Sequence, residues 1–437
     1  MKRMQKLYES PYLPVGILLL LHTLAWLLMH PLPTTGPGDD AFAYVNLAKS
    51  IFSPGFHLSY DQFQNRFGVY VPVYFIFRWL GENPYTTALW PLCMSLLTIG
   101  MSYRFLIRLA GKRVAFIAGS LVAMNLEQVD LSLVLFPDLL VAGYATFFVF
   151  LLYYAREMGR KEIFLAALLQ LIWITGFLTK ETMLLTLPYT GILAVADLTA
   201  KKNRSFWKAT GTFSLISCLA LAWGYYALTG DPFHRLRSMQ EYIHYRMPVN
   251  DDPAADIRAH NSGNLLIWLN HNLHYLFVLL LSLPVMYTNL KAEGGGLKKY
   301  LSGYAIYLLL LFSFLFYLPG IGTLFMQSRH WTFVIVPLAM LAAFFITGSD
   351  RTSLRLLIGI FAFLGVYNFF AVGPFRAALF ALFLTAAGAD YYFLEYKGKR
   401  MYLLLLPFLG LLSYYIFANT NFRPENAGHY EQIQDQK

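Results

Sequence analysis

Two adjacent carboxylates, Asp39 and Asp40, follow a Pro/Gly turn and open a segment with helical spacing that extends to Phe52. The apolar residues that would share one face of this helix are Ala41, Tyr44, Val45, Ala48, Ile51 and Phe52. Asp39 occupies the N-cap position, and the positive end of a helix favours the ionised form of both acids. Such a helix would lie flat on a membrane with its acids in water, although a capped surface helix without chemistry has the same pattern.

A second group of acids, Glu127, Asp130 and Asp138, lies between two apolar runs further along the chain. Carboxylates from separate loops can converge on a hard divalent cation such as Mg²⁺ or Mn²⁺, which prefers oxygen ligands. The candidate ligands are these three acids together with Asp39 and Asp40. The alternative for Asp138, which follows Leu135-Phe136-Pro137, is that it only caps the next helix.

Two basic residues lie at the ends of apolar runs. Lys180 is followed directly by Glu181, and charged residues at membrane depth are costly unless they are paired or functional. Mutual neutralisation of these neighbours is the simple alternative. Arg329 precedes another apolar run, where it can hold a phosphate with its planar fork or only anchor lipid headgroups.

The composition is typical of a polytopic membrane protein. The chain has 437 residues, of which 57% are hydrophobic and 13% are charged. Its cysteines, Cys93 and Cys218, both lie inside apolar runs, so a disulfide framework is not expected. The basic start, Met1 to Lys6, precedes an apolar run without a small-residue cleavage site, which indicates a retained first span.

The apolar runs predict an all-α integral membrane protein with about 13 transmembrane helices. The runs cover residues 12–29, 84–108, 114–130, 138–155, 163–179, 183–199, 209–228, 265–288, 300–318, 331–347, 356–372, 377–394 and 401–418. With a cytoplasmic N-terminus, 22 of the 34 basic residues fall in inner segments and 16 of the 24 acidic residues fall outside. This positive-inside distribution predicts the topology, and it explains the net charge of +10 without a nucleic-acid partner.

Two outer loops are long enough to carry function, about 31–83 and 229–264. We expect interfacial helices in the first of them: the flat helix and a second segment, Val69 to Leu80, broken at Pro72. The stretch from His234 to Tyr245 predicts a further interfacial helix in the second loop. The chain then divides into a transmembrane module with the first outer loop, 1–228, and a part with the second outer loop and the C-terminal helices, 229–437.

Several motifs occur in the order and on the side that is typical of one enzyme family. The stretch Asp39-Asp40-Ala41-Phe42-Ala43-Tyr44 resembles the Asp-Glu-x-x-Tyr of polytopic GT-C type glycosyltransferases, among them protein mannosyltransferases and lipid A aminoarabinose transferases. The other motifs that resemble theirs are Arg66 to Pro72 before Leu80-Gly81, Leu135 to Asp138, Leu178-Thr179-Lys180, and Arg329-His330 before Pro337. The chain departs from the family at Asp40 instead of Glu, at His330 instead of Tyr, and in having a single proline, Pro72.

The resemblance implies transfer of a sugar from a polyprenyl-phosphate-linked donor to an acceptor hydroxyl on the outer face of the cell (inner) membrane, with inversion. Asp39 is the expected base with Asp40 in support, Asp39 and Asp138 could share a cation, and Lys180, Arg329 and Arg66 would meet the donor phosphate. This fits the chemistry, because an acceptor must lose a proton and a leaving phosphate needs its charge met.

The acceptor class, which can be a glycan, a lipid or a protein, stays open. The rival hypothesis is a transporter or flippase of a lipid-linked or amphipathic substrate. Such a protein would be expected to carry ionisable residues near mid-span, whereas here nearly all lie at span ends and in loops.

Overall fold

The computed structural model describes residues 10, 12–29, 40–123, 125–158, 161–241, 273–291, 296–316 and 328–348. Within these ranges every regular element is helical. The first seven helices are α1 (Leu13–Met29), α2 (Asp40–Ser50), α3 (Phe67–Leu80), α4 (Pro84–Ala110), α5 (Lys112–Ala123), α6 (Leu126–Asp130) and α7 (Pro137–Met158). The next are α8 (Glu162–Thr179), α9 (Thr186–Thr199), α10 (Arg204–Thr229), α11 (His234–Glu241), α12 (Leu273–Lys291), α13 (Leu297–Phe316) and α14 (Thr332–Gly348). Short 3₁₀ helices cover Glu181–Leu185 and Ser328–Trp331.

Six helical segments of the described chain are long and apolar enough to cross a membrane. They are Pro84–Ala110, Pro137–Glu157, Glu162–Thr179, Glu181–Thr199, Arg204–Thr229 and Arg329–Gly348. The chain is therefore a multi-pass membrane protein, as its composition predicts. The three predicted runs at 356–372, 377–394 and 401–418 lie outside the described residues, so the count of about 13 helices stays a prediction.

The helix at the centre of the bundle is α14. Its side chains from Thr332 to Ala343 are all buried, because the segment is apolar on every face and therefore suits a position surrounded by other helices. It packs against α5, α7, α12 and α13. Arg329 and His330 lie immediately before α14, so the packing of this helix fixes where both residues lie at the end of the bundle.

The predicted helix after Asp39 is present as α2, with the predicted face buried. Ala41, Tyr44, Val45 and Ala48 pack in one cluster with residues of α3, α4 and α7. The helix ends at Ser50, and Phe52, which was predicted to share this face, is 60% exposed. Asp40 therefore opens a helix whose buried side is fixed by packing.

The predicted break at Pro72 is wrong, because α3 runs through this residue. A proline in a helix leaves unpaired the carbonyl four residues earlier, which here belongs to Gly68. The Trp90 indole Nε1 donates to that carbonyl at 3.2 Å and satisfies it. Gly68 also lies so close to α8 that a Cβ would collide with Thr179 Oγ1, so its lack of a side chain sets α3 against the end of α8.

The run predicted as one span at 114–130 is divided into α5 and α6. Asn125 lies between them with an extended backbone, and its side chain accepts a hydrogen bond from the backbone of Gln128 at 3.1 Å. An Asn at an N-cap satisfies an otherwise unpaired amide, which makes a new helix start favourable here. The turn that follows leads the chain to Asp138 at the start of α7.

Candidate active site

A buried carboxylate joins three elements at one end of the bundle. Asp138, in the first turn of α7, accepts from Lys180 Nζ at 2.5 Å and lies 2.8 Å from His330 Nδ1, both through Oδ1. Lys180 follows α8, and His330 lies in the 3₁₀ helix before α14. Side chains from three separate parts of the sequence therefore meet on a single oxygen atom.

The pairing with Asp138 is what allows a lysine to be buried here. Charged groups in a low-dielectric interior are stable only when they are paired and hydrogen-bonded. Burial lowers the pKa of the Lys180 ammonium, and the nearby Asp138 carboxylate opposes that shift. His330 Nδ1 lies 3.2 Å from Lys180 Nζ as well, so the three groups form one compact cluster.

Arg329 lies at the open edge of this cluster. Its Nη2 atom is 3.9 Å from Asp40 Oδ2, and its Nε atom is 4.0 Å from Asp138 Oδ2. The guanidinium lies over the ring of Phe136, 5.0 Å from the ring centroid. The side chains of Arg329 and Asp40 are 28% and 38% exposed. The Arg329 Nε atom is buried and has no hydrogen-bond partner within the described residues, so the protein leaves this donor unsatisfied.

A second ionic cluster lies beside the first and has Glu181 at its centre. Arg66 donates to both carboxylate oxygens of Glu181, from Nε at 3.3 Å and from Nη2 at 3.0 Å. Its Nη1 atom donates to the Tyr44 hydroxyl at 2.7 Å. Burial alone would lower the pKa of Arg66, but Glu181 and Tyr44 raise it well above its usual range. Arg235, from α11, contacts Glu181 from another side at 3.4 Å.

The mutual neutralisation of Lys180 and Glu181, which the sequence left open, is not what pairs these residues. The backbone at Lys180 is extended, with φ −159° and ψ 143°. Successive side chains of an extended segment point to opposite sides. Lys180 therefore reaches Asp138, and Glu181 reaches the two arginines.

Asp138 is a poor ligand for the metal ion that the sequence suggested. Its Oδ1 atom is taken by Lys180 and His330, and the Arg329 guanidinium faces Oδ2, so a divalent cation would meet positive charge on both sides. No group of three or more His, Cys, Asp and Glu side chains suited to a metal is found within the described residues. Asp40 has the same arginine 3.9 Å from its Oδ2 atom, but its side chain is 38% exposed and therefore more accessible to a cation, and Asp39 lies outside the described residues.

The structure thus brings four predicted site residues together and sets one apart. A connected series is formed by Asp40, Arg329, Asp138 and Lys180. Arg66 belongs to the Glu181 cluster instead, where its guanidinium donates to Tyr44 and Glu181. The sequence analysis named Tyr44 and His330 only as members of motifs or of an apolar face, and it did not identify Arg235. The spacing could have identified Tyr44, because it lies one helical turn after Asp40 and hence on the same side of the helix.

The fold resembles solved membrane transferases. ArnT from Cupriavidus metallidurans, in its structure bound to undecaprenyl phosphate, is 15% identical with a TM-score of 0.62, and the match covers 94% of this chain and 77% of that chain. The Archaeoglobus fulgidus oligosaccharyltransferase, tethered to an acceptor peptide containing the NVT sequon, is 14% identical with a TM-score of 0.55, covering 94% of this chain and 56% of that chain. A second structure of that enzyme, in complex with Zn and sulfate, is 14% identical with a TM-score of 0.54, covering 90% and 57%.

No protein-family model and no curated protein sequence matches this chain. Since the identities are low, the likeness establishes the fold alone. Both matched proteins are GT-C glycosyltransferases, so the fold that the sequence motifs indicated is confirmed.

Proposed function

We propose that this chain is a membrane glycosyltransferase that moves a sugar from a polyprenyl-phosphate-linked donor to an acceptor hydroxyl, with inversion at the anomeric carbon. The observation that carries the proposal is the position of Arg329, which lies between the carboxylates of Asp40 and Asp138 with a side chain that is 28% exposed. Transfer of a sugar from a phosphate requires a cation to stabilise the leaving phosphate and a carboxylate to accept the proton of the acceptor, and both kinds of group are present here. The fold shared with ArnT, whose structure contains undecaprenyl phosphate, supports the choice of donor.

Arg329 is the residue that meets the donor phosphate in this proposal. When the sugar leaves, the bond between its anomeric carbon and the phosphate oxygen breaks, and negative charge grows on that oxygen. A guanidinium can donate two parallel hydrogen bonds to a phosphate, and it does so best when its orientation is fixed in advance. The contact with Phe136 and the adjoining rigid helix α14 provide that orientation.

The proton of the acceptor goes to the first-loop carboxylates. We assign the base to Asp39, which lies outside the described residues, and the support to its neighbour Asp40 at the start of α2. The acceptor oxygen forms its bond to the anomeric carbon on the face opposite the leaving phosphate, and this gives inversion.

Lys180 and Arg66 act on the phosphate less directly than the sequence suggested. The charge of Lys180 is held by Asp138, and the donors of Arg66 are held by Glu181 and Tyr44. We propose that Lys180 holds the Asp138 carboxylate in position, so that this carboxylate in turn orients Arg329. A direct contact of Lys180 with phosphate would require it to leave a buried partner.

A divalent cation, Mg²⁺ or Mn²⁺, would be held by Asp39 and Asp40 instead of Asp138. Such an ion would supply positive charge for the donor phosphate. Of the two described acids that face Arg329, Asp40 is the accessible one, with 38% of its side chain exposed against 4% for Asp138.

The positive-inside distribution supports an active site on the outer face of the membrane. There the polyprenyl tail of the donor would lie in the bilayer beside the apolar helices, with its phosphate at the surface. The acceptor would be a glycan, a lipid or a protein that presents a hydroxyl to the same face.

The test is a reaction of the purified protein in lipid vesicles with a panel of labelled polyprenyl-phosphate sugars and candidate acceptors. We expect free polyprenyl phosphate to be released with at least one donor, in an amount that matches the labelled product. Arg329→Ala should abolish the release, whereas Arg237→Ala, which changes a 58% exposed arginine, should leave it intact.

Movement of the intact donor across the bilayer without release would instead identify a transporter or flippase. That outcome would overturn the proposed function.

A further inference from the structure

One buried arginine of the second long loop, Arg235, contacts the Glu181 cluster. Helix α11, which begins this loop, carries Arg235 with a side chain that is 4% exposed and, two residues later, Arg237 with a side chain that is 58% exposed. Arg235 Nη2 lies 3.4 Å from Glu181 Oε2 and donates at 3.4 Å to the Phe177 carbonyl oxygen. The guanidinium also lies 5.5 Å from the centroid of the Phe177 ring. Buried arginine is costly, so a position of this kind calls for a role.

Glu181 is linked to α2 through Arg66 and Tyr44. The same carboxylate that contacts Arg235 is held in a fork by Arg66, and Arg66 also donates to the Tyr44 hydroxyl at 2.7 Å. Tyr44 is fully buried and lies one turn after Asp40 on α2. Because residues four apart stack on one side of a helix, a clamp on Tyr44 fixes the turn that begins with Asp40.

The loop is also attached to the first long loop by contacts that do not involve Arg235. Asn65 Nδ2 donates to Ser238 Oγ at 3.2 Å, and the His234 ring stacks on Tyr60 with centroids 4.4 Å apart. The His234 Nε2 atom lies 3.0 Å from the Ser59 carbonyl oxygen. These contacts hold α11 in place even without Arg235, so removal of the Arg235 side chain need not detach the loop.

We propose that Arg235 is a positioning residue for the transfer, holding Glu181 from the second long loop and thereby fixing Arg66, Tyr44 and the turn of α2 that carries Asp40. The inference rests on the proposed function. Arg235 touches neither Asp40 nor Arg329, and its buried guanidinium acts through Glu181. A displacement of reacting groups by about 1 Å, caused by a change far from the chemistry, can cost about a hundredfold in rate.

The kinetic test compares Arg235→Ala with Arg237→Ala, a loss of the same charge on the same helix. Arg235→Ala should lower kcat for polyprenyl phosphate release by about a hundredfold and leave the KM for the donor unchanged. Arg235→Lys should recover part of the rate, since it keeps the charge but loses the fork. Arg237→Ala should behave like the unmodified protein. A rise in KM without a fall in kcat would overturn the proposal, since it would indicate that Arg235 binds substrate.

A double variant tests whether Arg235 acts through Glu181. If it does, Arg235→Ala combined with Glu181→Gln should be no slower than the slower single variant, because both changes remove the same link. Losses that multiply would contradict the proposal. If Arg235→Ala does not accumulate as folded protein, Tyr44→Phe removes only the hydroxyl at the other end of the series, and it should lower kcat at unchanged KM.

A distance measurement separates this inference from the proposed function. Spin labels at Lys49→Cys on α2 and at the exposed Cys93 on α4, with Cys218→Ser, report the position of α2 without any reaction. Arg235→Ala should broaden the distance distribution and Arg237→Ala should not. A broadened distribution in a protein that transfers no sugar would leave this positioning intact and remove the proposed function, whereas an unchanged distribution with normal kcat would remove the positioning role alone.

Discussion

Lys180→Met breaks the buried ion pair at the centre of the site. The substitution keeps an unbranched side chain of similar length but removes the ammonium that lies 2.5 Å from Asp138 Oδ1. Asp138 is 3% exposed, so water cannot replace the lost partner, and His330 remains its main contact. Removing one partner of a buried pair costs about 3–5 kcal/mol. We expect the free energy of unfolding to fall by that amount and transfer to be lost.

The double variant Lys180→Met with Asp138→Asn should regain most of the stability but none of the transfer. With both charges gone, no unpaired ion is left in the interior, and replacing a whole buried pair is often close to neutral. The carboxylate that lies 4.0 Å from Arg329 is also gone, so the arginine loses the group that holds it. Stability therefore recovers in the double variant while transfer stays lost.

The assay is thermal or denaturant unfolding in detergent, combined with polyprenyl phosphate release per folded molecule. Arg156→Met is the control, because Arg156 forms a partly buried pair, at 2.6 Å with Asp197, far along the same helix α7. It should lose stability, by less because Asn203 and Trp207 still donate to Asp197, and keep its rate per folded molecule. Recovery of transfer in the Lys180/Asp138 double variant would refute the role of this pair in the reaction.

Three further outcomes follow from the same structure. Asp39→Asn should reduce transfer by about a hundredfold or more and change stability little, and Asp40→Asn should have a smaller effect, as measured by release kinetics and thermal unfolding; normal turnover in both variants would exclude this site. Gly68→Ala should lower the free energy of unfolding by about 1–3 kcal/mol, because the new Cβ would collide with α8. Reporter fusions after Asn46 should report the outer side and fusions after Lys161 the cytoplasm, and the reverse result would invalidate the assigned face.

Local patterns in the sequence were sufficient to predict α2. The buried face of Ala41, Tyr44, Val45 and Ala48 follows from helical spacing, which needs no knowledge of the rest of the chain. The prediction failed at Phe52, because the helix ends before it. Helix ends depend on local capping and packing, and a periodic pattern does not report these.

The pairing of charges could not be predicted, because it depends on contacts between distant parts of the chain. Lys180 and Glu181 are neighbours in sequence, which made their mutual neutralisation plausible. An extended backbone at one residue sends them to opposite sides, and their partners come from α7, α11 and the first long loop. The continuation of α3 through Pro72 could not be predicted for the same reason. The Gly68 carbonyl that the proline leaves unpaired accepts from the Trp90 indole, which belongs to the separate helix α4.

The most direct test of the proposed reaction is the single-turnover rate constant of polyprenyl phosphate release in Arg329→Lys. The substitution keeps the positive charge but replaces a fork by a point charge at the place where the leaving phosphate would gain negative charge. We predict a fall of about a hundredfold or more, as for the loss of one preorganised donor to a transition state, with folding unchanged. Arg237→Lys, on the exposed side of α11, should match the unmodified protein. A rate constant in Arg329→Lys equal to that of the unmodified protein would contradict the assignment of this residue and, with it, the site.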